Sequence, residues 1–288
     1  MTLELQRECK DCIVDWVYKR TEPYVREDQR PLLSPKIVRA LEDGRTVSSN
    51  VGFLCNEAVF SAQEVESGCL SYYTAFKEEV NRRAEGLLSL ARSYIGHGAN
   101  PEERLERAVF IAAAANVSSL GAPSVFTFPE IEAIITGLEL PVMIGDAYEA
   151  ILRSRRILYI TDNAGEVGFD SLVIELLKKK GCHVTLVVKE EPFFEDARMG
   201  DATYFGLDQV ADEIISTHGF FIKNTGDPVL DRAFQLCDLI MAKGTGSYEA
   251  LSGETIGKRA IFMLKVKCGP ISRETGVAQG RVLVKVDT

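Results

Sequence analysis

The chain lacks an excess of positive charge, a long apolar run, a histidine cluster and a second cysteine pair. Its 33 Lys and Arg are outnumbered by 42 Asp and Glu, for a formal net charge of −9, which argues against a general nucleic-acid footprint. No apolar stretch approaches the length of a bilayer span, and Met1 to Leu5 lack the basic start and apolar centre of a secretory signal. The expectation is a cytoplasmic protein that meets neither nucleic acid nor membrane. Seven cysteines, an odd number spread over 288 residues, do not make a disulfide framework. Cys182, Cys237 and Cys268 sit in or beside apolar runs and read as buried small hydrophobes. Cys9-Lys10-Asp11-Cys12 puts two thiols one helical turn apart, and with Ile13, Trp16 and Val17 suggests a helix. A zinc site there would need two further ligands, so packing is the first reading and a metal or redox role stays open.

What is present divides near residue 145. Before it, helical periodicity dominates: Phe76, Val80, Leu87, Leu88 and Ala91 mark one face, and Leu105, Ala108, Val109, Ile111, Ala112 and Ala115 another. After it, helix-length intervals alternate with candidate strands at Ile157–Thr161, His183–Val188, Glu213–Thr217, Leu239–Lys243, Arg259–Leu264 and Arg281–Val286. That alternation predicts an α/β protein: a helical cap domain over 1–145, then a Rossmann-like α/β/α domain over 146–288 with a mostly parallel sheet. Gly137 to Gly145 is the expected hinge.

The first strand ends abruptly in Thr161-Asp162-Asn163-Ala164-Gly165-Glu166. An Asx-turn ahead of a helix would account for that tetrapeptide taken alone. Parallel sheets, however, place their chemistry at the C-terminal strand ends, and three further polar groups fall there. Pro192 to Ala197, with Glu195 and Asp196, follows the second strand; Lys243-Gly244-Thr245-Gly246-Ser247-Tyr248-Glu249 ends the fourth; Lys265-Val266-Lys267-Cys268 follows the fifth. Oxygen-only ligands suit Mg²⁺, Mn²⁺ or a similar ion. Lysines would neutralise an oxyanion, and Gly244 and Gly246 let backbone N–H groups approach a phosphate. The absence of Gly-x-Gly-x-x-Gly after the first strand argues against a dinucleotide enzyme.

These segments, in order, together with Cys9–Cys12, Tyr73-Thr74-Ala75-Phe76-Lys77 and Ala115-Asn116-Val117, resemble the damage-control phosphatase family, formerly domain-of-unknown-function family 89, in its stand-alone archaeal and bacterial branch. The resemblance implies a phosphatase dependent on Mn²⁺, Co²⁺, Ni²⁺ or Mg²⁺ whose partner is a small phosphorylated metabolite, with self-association left open. It implies metal ligation by Asp162, Asn163 and Asp196, a substrate loop of Gly244, Thr245, Gly246, Ser247 and Tyr248 reached by Asn116, and a phosphate-binding Lys267. Catalytic roles are expected for Asp162, Lys243, Lys267 and Glu166, the last orienting water or substrate. Metal-activated water is the first choice of nucleophile, and attack by Asp162 remains open. The chain departs from the family at Glu195 and Ser247, where Asn is usual, at Ser119, where Asp is usual, and at Ser71-Tyr72, where Asp-Pro is usual. Those changes keep a non-catalytic metal or phospho-metabolite binder as the alternative.

Overall fold

A computed structural model describes residues 7–66, 68, 73–116, 128–224, 226–252 and 256–287. Ser71, Tyr72 and Ser119, three of the departures, and Cys69 lie outside the described residues. Helices α1 (Arg7–Thr21), α2 (Arg30–Arg45), α3 (Val51–Gln63), α4 (Thr74–Gly96), α5 (Pro101–Ala114) and α6 (Pro129–Ile135) come first. Strand β1 (Val142–Ile144), α7 (Ala147–Leu152), β2 (Arg156–Ile160), α8 (Glu166–Lys179), β3 (His183–Lys189), α9 (Met199–Tyr204) and β4 (Glu213–Thr217) follow. The chain closes with α10 (Pro228–Leu236), β5 (Leu239–Lys243), α11 (Gly244–Leu251), β6 (Arg259–Lys265), α12 (Gly269–Thr275) and β7 (Val282–Asp287). Local chemistry sets several starts: the Asn50 and Asn100 side chains accept from the N–H groups of Phe53 and Glu103 at 2.9 and 2.8 Å, capping α3 and α5.

The strands form one sheet in the order β1-β7-β6-β5-β2-β3-β4, with every pairing parallel except β6 with β7. The mixed α/β class and the largely parallel sheet are as the alternation predicts. The six expected strands are present to within about a residue at either end; β1 is additional and pairs with β7 at the sheet edge. Its three residues fall within the expected hinge.

Strand periodicity divides the interior in two. Ile157, Tyr159, Met241 and Met263 face a core shared with α4, α5 and α8, whereas Leu158, Ile160, Ala242 and Phe262 face one shared with α1, α2 and α3. The first 145 residues thus supply helices to both faces of the sheet. From β2 the chain runs outward through β3 and β4, then returns to place β5 on the other side of β2. The loops after β2 and β5 therefore diverge at their C-terminal ends, which is the crevice where open α/β sheets bind ligands.

Candidate active site

Gly165 makes the first turn. It has φ +75°, and an added Cβ would lie 2.4 Å from Val80 Cγ1 on α4, so only glycine fits between the β2 loop and that helix. Its N–H donates to Asn81 Oδ1 at 2.7 Å, and the Asn81 amide donates to Asp201 Oδ1 at 2.8 Å. The turn is pinned from outside the sheet.

The loop after β2 meets the loop after β3 directly. Asn163 and Asp196 form an isolated antiparallel bridge, with Ala197 N–H donating to Asp162 O at 2.7 Å and Ala164 N–H to Glu195 O at 2.9 Å. In this kind of pairing the facing residues are the closely spaced ones, about 4.5 Å between Cα atoms. Asp162, Asn163 and Asp196 are thereby brought together, all nearly buried, at the wall of a cavity of about 420 Å³. Thr245, Gly246, Glu249 and Lys267 line the same cavity, as do Trp16, Arg20 and Phe220. Gly244 lies against Asp162: at φ +82°, a Cβ there would stand 2.0 Å from Asp162 Oδ2.

Several expected site residues do not line the cavity. Asn116 is fully buried; its amide donates to Asp162 Oδ2 at 2.6 Å and to Glu166 at 3.2–3.3 Å, while its Oδ1 accepts from Lys265 N–H at 3.1 Å. Glu166 also accepts from Asn163 Nδ2 at 2.6 Å. The Lys243 ammonium, without solvent exposure, sits 3.1 Å from Glu166 and 3.0 Å from Asp170. Ser247 and Tyr248 are buried on α11, the tyrosine donating to Glu274 at 3.1 Å. Asp170, Lys189 and Arg20 join these residues through the fold. Asp170 falls one helical turn after Glu166 and is fully buried on α8, and that spacing was the available signal.

Electrostatics follow from burial. Loss of hydration raises Glu166 to about 8, with Lys243 drawing it back and Asp162 pushing it up. Burial alone would lower the pKa of Lys243, but Asp170 and Glu166 on either side outweigh it and hold the value above the usual lysine range, so the ammonium stays charged. Burial likewise lifts Asp196 to about 7 against the pull of Lys189, whose ammonium is 3.2 Å away over the faces of Phe193 and Phe220. Asp196 Oδ2 is buried, with the Lys189 ammonium at 3.2 Å as its charged neighbour. Among the described residues, no three His, Cys, Asp or Glu side chains are placed to hold a metal; Asp162, Asn163 and Asp196 offer two carboxylates and an amide. That all-oxygen donor set, beside an open cavity for water, is of the kind that fits a hard, water-rich divalent cation.

Cys9, Cys12, Cys55 and Cys268 also line the cavity. Cys182 and Cys237 are buried as expected, whereas Cys268 is partly open to the cavity. Among the described residues, no helix is long and apolar enough to cross a membrane.

Comparison with known proteins agrees with this architecture. The profile of the damage-control phosphatase ARMT1-like domain matches residues 8–283. A damage-control phosphatase of Archaeoglobus fulgidus is 28% identical over 96% of this chain and 97% of its own. A damage-control phosphatase of Pyrococcus horikoshii is 36% identical over 48% of this chain and 49% of its own. The crystal structure of a DUF89 family protein from Pyrococcus horikoshii superposes with a TM-score of 0.80 over 99% of both chains at 23% identity.

Proposed function

Because the chain belongs to the damage-control phosphatase ARMT1-like family, we propose that it hydrolyses phosphate monoesters of small metabolites with the help of a divalent ion. The observation that carries this reading is the meeting of Asp162, Asn163 and Asp196 on one cavity wall beside Thr245, Gly246 and Lys267. Asp162, Asn163 and Asp196 would hold the ion, which supplies Lewis-acid polarisation of a phosphoryl oxygen. The N–H groups of Thr245 and Gly246, in the first turn of α11, would present a positive helix end to the phosphate, and Lys267 would offset charge that grows in the transition state. Asp162 Oδ2 already accepts from the Asn116 and Asn163 amides at 2.6 and 3.0 Å. That occupation favours water over the carboxylate as the attacking group.

The test is phosphate release from a panel of phosphomonoesters with Mn²⁺, Co²⁺, Ni²⁺ or Mg²⁺. Turnover that needs the ion and disappears in folded Asp162→Ala and Asp196→Ala supports the reading. Ion binding without turnover of any ester would replace it with the non-catalytic binder.

A further inference from the structure

In the sequence Lys243 reads as a phosphate neutraliser, yet its ammonium lies wholly inside the protein, between two carboxylates. We propose that Asp170, Lys243 and Glu166 form a buried positioning chain that holds the Asn163 amide with its oxygen toward the cavity. The proposal rests on the reading that Asp162, Asn163 and Asp196 bind the divalent ion.

An asparagine amide offers two N–H donors on one side and one oxygen on the other. Asn163 Nδ2 lies 3.0 Å from Asp162 Oδ2 and 2.6 Å from Glu166 Oε1, so both donors point inward. Turning the amide over would set its oxygen against two carboxylate oxygens. Both hydrogen bonds donated by the amide would be lost where little water is present to replace them. The oxygen therefore faces the cavity for as long as the Glu166 carboxylate stays in place.

Each member of the chain is held by the next. Lys243 Nζ is 3.1 Å from Glu166 Oε2, and Asp170 Oδ1, 3.0 Å from Lys243, also accepts from the Tyr159 hydroxyl at 2.8 Å. Tyr159 stands in β2, Lys243 ends β5, and Glu166 and Asp170 are one turn apart on α8. Rigid elements thus connect the sheet interior to the amide. None of the four side chains lines the cavity, which makes them positioning residues. Outer partners that orient metal ligands are typically worth roughly 10- to 100-fold in ion affinity.

The test uses the metal-free full chain with ¹⁵N-labelled asparagine, the Asn163 NH₂ signal being assigned by its loss in Asn163→Asp. Asp170→Asn and Lys243→Met, with folding verified by circular dichroism, should speed exchange of those amide protons with water about tenfold or more. The same variants should weaken calorimetric Mn²⁺ binding by about tenfold, and Tyr159→Phe should do both to a smaller degree. Folded Asp170→Asn with unchanged exchange overturns the proposal. Should Lys243→Met fail to fold, Asp170→Asn and Tyr159→Phe, which keep side-chain volume, decide the matter. Exchange is read without metal, so faster exchange in the variants of a protein that binds no Mn²⁺ sustains the positioning chain and overturns the ion reading instead.

Discussion

Arg20 on α1 and Glu195 in the loop after β3 form a buried, two-pronged ion pair, with Nη2 donating at 2.9 Å and Nε at 3.2–3.3 Å. The guanidinium also lies 5.4 Å from the centre of the Trp16 ring. Glu195 is one of the departures from the family pattern, and it adds a negative charge next to Asp196. Arg20 neutralises that charge. Removing the cation alone strands a buried carboxylate beside two others, so Arg20→Ala should lower stability to urea by about 3 kcal/mol. The double change Arg20→Met with Glu195→Leu should regain more than half of the loss, because an apolar pair leaves no unpaired charge. A double variant no more stable than Arg20→Ala would show that the ion pair is not the cause.

Gly244 gives a sharper test of the site. Its α-carbon abuts the Asp162 carboxylate, and its φ of +82° is one that residues with a side chain rarely adopt. Gly244→Ala should therefore displace Asp162 and weaken Mn²⁺ binding by roughly tenfold or more, the scale on which misplaced metal-site groups act. Calorimetric titration measures it. Unchanged affinity would place the ion away from Asp162.

The strands were legible because each joins several β-branched or long apolar residues to a polar end, a signal that survives without tertiary knowledge. Val142–Ile144 carries no such signal: three residues between Pro141 and Gly145 are too few for periodicity, and pairing with β7 makes them a strand. Asp162, Asn163, Asp196, Thr245, Gly246 and Lys267 were legible as strand-end residues, and the cavity gathers them. Lys243 was misplaced by one step of the pleat. It shares the face of Met241, two residues earlier, and so points toward α8 and Asp170 rather than outward. Nothing in the sequence marks Arg20 or Lys189, since their partners Glu195 and Asp196 arrive only through the fold.

Glu249 on α11 lines the cavity, and burial raises its carboxyl to about 7 against the pull of Lys267. The raised value means that the folded state prefers the neutral acid. Stability from this group is complete below the unfolded value near 4.5 and declines as pH rises toward 7. Glu249→Gln is neutral throughout. It should match the wild type at pH 4 and exceed it at pH 8 by about 1–3 kcal/mol, measured by urea unfolding at both pH values. A variant less stable than the wild type at pH 8 would mean that the ionised Glu249 is instead stabilised by Lys267.

The thiols that line the cavity should be slow nucleophiles. Burial raises Cys12, places Cys55 well above the usual thiol range and lifts Cys268 to about 11, with the nearby carboxylate of Glu249 further disfavouring the Cys55 and Cys268 thiolates. Only the thiolate attacks an alkylating reagent. At pH 7.5 a thiol with a pKa near 11 is ionised in roughly one molecule in 3,000, from the ordinary titration relation. Iodoacetamide should therefore label Cys268 slowly at neutral pH, and the rate should climb about tenfold per pH unit to near pH 10. Site-resolved mass spectrometry across that range measures the slope. Fast, pH-independent labelling of Cys268 near pH 7 would require a thiolate already formed there, and with it a nearby cation that outweighs the burial and the carboxylate of Glu249.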